Sequence, residues 1–137
     1  MTQHYIGTKQ VVAWPAEKNS KPGYTVQYPD GYESWSPKDV FEKAYMPMGE
    51  TNDGTMITLD MVETFIATRQ VTKMGEKTTV VQATLRNGFV ITESSACVDP
   101  SNYDELMGVM VCMRRIHDKI WELLGFLLQS ARNGLTF

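Results

Sequence analysis

The stretch Val80-Val81-Gln82-Ala83-Thr84-Leu85-Arg86-Asn87-Gly88-Phe89-Val90-Ile91-Thr92 decides the fold. Apolar residues alternate with polar ones on both sides of Asn87-Gly88, a dipeptide that tolerates the positive φ of a tight hairpin loop. The pattern predicts two antiparallel strands joined at Asn87-Gly88. If Arg86 pairs with Phe89 across a two-residue loop, then Val81, Ala83, Leu85, Val90 and Thr92 share the core side. Gln82, Thr84, Arg86, Phe89, Ile91 and Glu93 then share the other.

Upstream, Thr58 precedes Leu59, Val62, Phe65 and Ile66, a helical stripe with a capping hydroxyl. Lys73-Met74-Gly75-Glu76-Lys77 reads as the turn that leads into the strand starting at Thr78. Downstream, Asp99-Pro100-Ser101 starts a long helix over about 102–131, capped by Asp99 or by Ser101 with Asp104 three residues on. Its polar residues occupy a narrow strip. The rest is apolar, including Leu106, Met107, Val109, Met110, Val111, Cys112, Met113, Ile116, Ile120, Leu123, Leu124, Leu127 and Leu128. A helix lying on one sheet needs a narrower stripe. The excess calls for a second cover, either the same helix of another subunit or the N-terminal segment of the same chain.

Before residue 49 the pattern changes. Tyr5–Trp14 has strand-forming residues and stops at Pro15, and Tyr24, Val26 and Tyr28 alternate with polar neighbours. Pro29-Asp30-Gly31 is a turn, and Ser36 caps a short helix with Pro37 at its first position and Val40, Phe41, Ala44 and Tyr45 on one face. Residues 49–57 carry two glycines among polar residues and read as a linker. The expected organisation is therefore 1–48, a small β-rich module with a short helix; 49–57, a linker; and 58–137, helix, hairpin and long helix. The fold class is α+β: an antiparallel sheet flanked by a long C-terminal helix and a shorter one.

Composition narrows the function. Apolar residues at 42% and charged residues at 21% are globular values, which argues against disorder. Thirteen basic against sixteen acidic residues give a net charge of −3, no basis for a duplex nucleic-acid binder. No apolar run approaches the ~20 residues of a membrane span. Met1–Tyr5 lacks the start of a signal peptide, and Cys97 and Cys112 form no paired motif, which points to a reducing cytoplasm.

Phe89 beside Arg86 and Asn87 offers a ring for stacking and a guanidinium for charge-assisted hydrogen bonds, the means by which a nucleobase and phosphates are held. Packing of Phe89 under the first segment is the ordinary alternative. Arg114 and Arg115 sit inside the apolar helix, where they need acidic partners at Asp118 or Glu122, or an anion. His4 and His117 are the only histidines and no metalloprotease, phosphate-loop or nucleophile-elbow motif occurs. Ser94, Ser95 and Cys97 stand far in sequence from either histidine. No catalytic residue, cofactor or metal ion is expected.

The run Leu85-Arg86-Asn87-Gly88-Phe89-Val90-Ile91-Thr92-Glu93-Ser94-Ser95-Ala96-Cys97-Val98-Asp99-Pro100-Ser101-Asn102-Tyr103-Asp104, together with Lys119-Ile120-Trp121-Glu122-Leu123-Leu124-Gly125-Phe126-Leu127-Leu128, resembles a family of small bacteriophage accessory proteins named after gene 49 and gene 66 of two phages. The resemblance covers about 58–131. That family looks to include the first-described class of Thoeris anti-defence proteins, sponges that seize the cyclic ADP-ribose-type signal of bacterial TIR enzymes without cleaving it. Some members are described as also holding cyclic oligonucleotides. The resemblance implies a homodimer, extending to a hexamer built as a trimer of dimers, with pockets between subunits, acting in the cytoplasm of the infected bacterial host. The expected ligand contacts are Arg86, Asn87 and Phe89 at the hairpin, Arg114 and Arg115 on the helix, and Asn102 at the helix start. The family tends to be polar and alanine-rich in the central helix, where this chain has Val109-Met110-Val111-Cys112-Met113. The first segment also looks like an N-terminal module of other phage proteins.

Overall fold

A computed structural model describes all residues, Met1–Phe137. Contacts divide the chain into two units, Met1–Met56 with Phe126–Phe137, and Ile57–Gly125. The change of unit falls at the end of the expected linker. The last turns of the long helix, placed in the second segment by the sequence reading, count with the first unit.

In the first unit, β1 (Val12–Pro15), β2 (Gly23–Gln27) and β3 (Glu33–Pro37) form an antiparallel sheet in that order, followed by α1 (Lys38–Ala44). The strand expected from Tyr5 begins only at Val12, where pairing with Gln27 starts. Strand β3 was not expected, because Ser-Trp-Ser-Pro alternates weakly. Ser36 pairs with Tyr24 in the sheet and does not cap α1, and Pro37 stands one position before the helix. Phe41 stacks between Tyr24 and Tyr45, with ring centroids 4.4 and 4.9 Å apart. On the opposite sheet face the Trp35 indole lies across Gly23, where a Cβ would come within 2.4 Å of the ring. The linker is pinned: Gly54 O accepts from Gln10 Nε2 at 2.7 Å and from Arg132 Nη1 at 3.0 Å.

In the second unit, α2 (Leu59–Thr64) leads into a meander of β4 (Ile66–Met74), β5 (Thr78–Leu85) and β6 (Val90–Ala96). Thr58 caps α2 as expected, accepting from Met61 N at 3.3 Å. Met61 and Val62 are its buried residues, whereas Leu59 is half exposed. The helix ends at Thr64 because the chain from Ile66 onward is taken by pairing with β5. For the same reason Lys73 and Met74 belong to β4, and the turn shrinks to Gly75-Glu76-Lys77.

The hairpin is confirmed but its register is one residue from the expected one. Thr84 pairs with Val90 and Ala83 with Ile91, so Leu85 faces Phe89 across the three-residue loop Arg86-Asn87-Gly88. Gly88 N donates to Leu85 O and Gly88 takes φ of 87°, the pattern of a turn followed by a left-handed bulge. A single-residue slip exchanges the two faces of a strand. Ile91 is therefore buried with Val81, Ala83 and Leu85, while Val90 and Thr92 point the other way.

Beyond β6, Asp99 Oδ1 accepts from Ser101 N and Oγ, which caps a 3-10 turn at Pro100–Asn102. Asp104 Oδ1 then accepts from Met107 N, and α3 runs from Glu105 to Asn133. Two successive caps replace the single start expected from the sequence. Cys112, Ile116, Ile120 and Leu124 form the buried ridge of α3, each contributing about 1.5–3 kcal/mol if fully transferred from water. Gly108 and Cys112 approach the sheet at Thr79, whose hydroxyl shares a 3.0 Å hydrogen bond with Tyr103.

Candidate functional site

The hairpin tip is a rigid platform. Leu85 N donates to Phe89 O at 2.8 Å and Phe89 N to Asn87 Oδ1 at 3.1 Å, so the backbone on either side of the ring is fixed. The ring itself is 53% exposed. Arg86 is locked to the end of α2: its backbone N donates to Phe65 O at 2.9 Å and its Nε to Thr64 O at 2.8 Å. Anchoring through Nε leaves both terminal amino groups of the guanidinium for another acceptor. A held guanidinium and an open ring three residues apart suit a planar anionic ligand.

The two helix arginines part company. Successive residues lie ~100° apart on a helix. Arg115 turns to β6 and donates from Nη1 to Ser94 O at 2.7 Å, next to the Lys119–Glu93 ion pair. Neither arginine is paired with Asp118 or Glu122. Arg114 turns away from the sheet into an open crevice of about 460 Å³ on the outer face of α3, lined by Met110, Met113, Arg114, His117, Asp118 and Trp121.

These places are distinct within one chain. Phe89, just before β6, and Ser94 within it are five residues apart, so the tip and the Arg115 anchor stand ~17 Å apart along the strand direction. Asn102 lies on the exposed 3-10 turn beyond the far end of β6. The structure keeps Arg86, Asn87 and Phe89 on one hairpin tip, although Phe89 lies opposite Leu85 and not opposite Arg86 as expected, and sets Arg115, Arg114 and Asn102 at separate positions. It also adds His117 and Trp121, which the sequence reading left out of the site. Their signal was present as the spacing 110, 114, 117, 121, one face of a helix.

The thiols are inert or exposed rather than paired. Cys112 is wholly buried, and that burial pushes its thiol above the ordinary value against the pull of Arg115. Cys97 is half-buried and contacts Asp99 O through Sγ. No helix is long and apolar enough to cross a membrane.

The family model described as phage protein (N4 Gp49/phage Sf6 gene 66) matches residues 57–132, more than half of the chain and all of the second unit. No curated protein and no solved structure matches the chain. The matched span contains α2, the meander and most of α3, including the hairpin tip and the outer crevice. The chain belongs to the phage protein (N4 Gp49/phage Sf6 gene 66) family.

Proposed function

We propose that this phage protein is a non-enzymatic anti-defence protein that binds and sequesters a cyclic nucleotide immune signal in the cytoplasm of the infected host. The signal class is cyclic ADP-ribose-type, with cyclic oligonucleotides as the second candidate. The carrying observation is the hairpin tip: an exposed Phe89 ring on a fixed backbone, three residues along the chain from an Arg86 guanidinium held only through Nε. Stacking a base on such a ring contributes about 1–3 kcal/mol. A charge-assisted hydrogen bond to a phosphate adds about 1.5–3 kcal/mol. Neither step needs a proton transfer, so affinity alone suffices for sequestration.

Arg114, Arg115 and Asn102 lie too far from the tip to join the same small ligand within one chain. A pocket that uses both sets takes them from two copies of the protein. Self-association therefore belongs to the proposal, and the exposed apolar face of α3 supports it. Incubating the pure protein with cyclic nucleotides, removing free ligand, heating, and analysing the supernatant tests the reading. Release of intact ligand is the expected result. Altered ligand makes the protein an enzyme, and no retained ligand refutes sequestration.

The competing reading is a protein that inhibits a host protein through its first unit. It is favoured by Val12 and Trp14, which lie on one face of β1 and remain exposed. Failure to retain any nucleotide, with capture of one defined host protein that a Trp14→Ala variant loses, would favour it.

A further inference from the structure

The first sheet carries two tryptophans on the face turned away from α1. The register sets Trp14, Thr25 and Trp35 in one row across β1, β2 and β3, with Val12, Gln27 and Glu33 in the next. Helix α1 packs on the other face, through the Tyr24–Phe41 stack. The two indoles are held differently. Trp35 is a fixed platform: its Nε1 donates to Ala16 O at 2.7 Å and its ring lies across Gly23. Trp14 is 41% exposed, and its indole N–H has no acceptor within the chain. Val12 beside it is 62% exposed. Charges of opposite sign mark the two ends of the face. Lys18 Nζ stands 5.8 Å from the Trp35 ring centroid at one end. At the other end Glu33 makes no ion pair and meets only the Gln27 amide, at 3.5 Å.

We propose that this face binds a proline-rich segment of another protein in the polyproline II conformation, with a basic residue two positions from the proline seated at the indoles. The inference goes beyond nucleotide sequestration, which uses the hairpin tip of the second unit. It gives the surface of the competing reading a ligand of defined chemistry.

The size of the face selects a short segment. Three strands of four or five residues make a patch of ~10 Å by ~15 Å. A stable interface between globular proteins takes about 800 Å² from each partner. So small a patch supports useful affinity only for a ligand that loses little freedom on binding, and a polyproline II segment is already ordered. Its carbonyls have no internal partners, so one of them accepts from the Trp14 N–H. A helix has spent its carbonyls on its own ladder, and an extended strand adds to a sheet edge rather than to a face. Prolyl rings pack on indoles, the usual mode for such segments.

Charge fixes the flanking residue. Two residues along a strand, from the Trp14 row to the Val12 row, cover ~7 Å. Two residues of polyproline II cover ~6 Å, so a basic side chain at that spacing reaches Glu33. The opposite polarity would set the basic residue against Lys18.

Titrating isotope-labelled full-length protein with a capped Pro-Pro-Pro-Pro-Arg peptide tests the site by nuclear magnetic resonance. The Trp14 indole N–H signal, assigned by its loss in Trp14→Phe, should move while that of Trp121 stays in place. An Ala-Ala-Ala-Ala-Arg peptide, equal in charge but flexible, should bind at least ~10-fold more weakly. Equal binding of the two peptides overturns the inference, as does the absence of any shift at millimolar peptide. Trp14→Ala should abolish binding with the circular dichroism unchanged, and retained binding refutes the indole contact. Should the alanine variant lose its fold, Trp14→Phe carries the test: it keeps a ring, loses the donor, and should bind about fivefold more weakly. Glu33→Gln should weaken the arginine peptide and leave a Pro-Pro-Pro-Pro-Gln peptide unaffected; an equal effect on both refutes the charge contact. Peptide binding without nucleotide retention overturns sequestration alone. Nucleotide retention without peptide binding overturns this inference alone.

Discussion

Replacing Gly108 with alanine probes how α3 is set against the sheet. A Cβ at Gly108 would stand 2.2 Å from Thr79 Oγ1 and 2.7 Å from Thr79 Cβ, far inside contact distance. Thr79 is 1% exposed and its hydroxyl is engaged by Tyr103, so it has little room to withdraw. Overpacking of this kind costs about 1–3 kcal/mol. Alanine in a helix interior returns about 1 kcal/mol relative to glycine. The net range is a loss of about 0–2 kcal/mol, and the expectation lies near its upper end because the nearest atoms are on a buried β-branched residue. Urea unfolding at fixed protein concentration measures it as a lower midpoint with an unchanged slope. Thr79→Ala in the same chain should recover part of the loss by removing Oγ1 and Cγ2, while the Thr79 Cβ still crowds. A Gly108→Ala protein as stable as the parent, or more stable, would refute the close approach of α3 to β5.

Phe89→Ala should lower nucleotide retention about thirtyfold, the middle of the stacking range, while costing only about 1 kcal/mol of stability because the ring is half exposed; equilibrium dialysis and urea unfolding read the two effects. Arg86→Gln should both lose about 1 kcal/mol, through the Nε–Thr64 O bond, and reduce retention, so a variant with full retention would remove Arg86 from the ligand contacts. A thiol reagent at neutral pH should modify Cys97 promptly and Cys112 only on unfolding, as mass spectrometry would show. Cys112 also predicts a pH slope: its folded thiol is raised, so the unfolded chain releases that proton first, near pH ~8.5, and stability falls as pH rises beyond that point. A Cys112→Ala variant should show a flatter decline over the same alkaline range.

Local chemistry made several elements legible. Asn87-Gly88 marked the hairpin, Thr58 the start of α2, and the i, i+4 apolar ridge the long helix. The motif around Leu85–Asp104 pointed to the family that the family model matches. The excess apolar width of the helix was also visible, and the structure leaves that face uncovered in the single chain.

Other features depend on partners distant in sequence. Whether the loop holds two residues or three changes no residue in the pattern, yet it decides whether Val90 or Ile91 is buried; only pairing across the sheet settles it, since a strand repeats every two residues. Strand β3 lacks a strong alternation and exists through its hydrogen bonds to β2. Adjacent arginines look equivalent in a sequence, but the helical turn sends Arg115 to Ser94 and Arg114 to the outer crevice. Period and capping are properties of neighbours along the chain, and so the amino-acid order alone carried them. Register, burial and the grouping of side chains depend on what lies opposite, and only the folded chain supplied that.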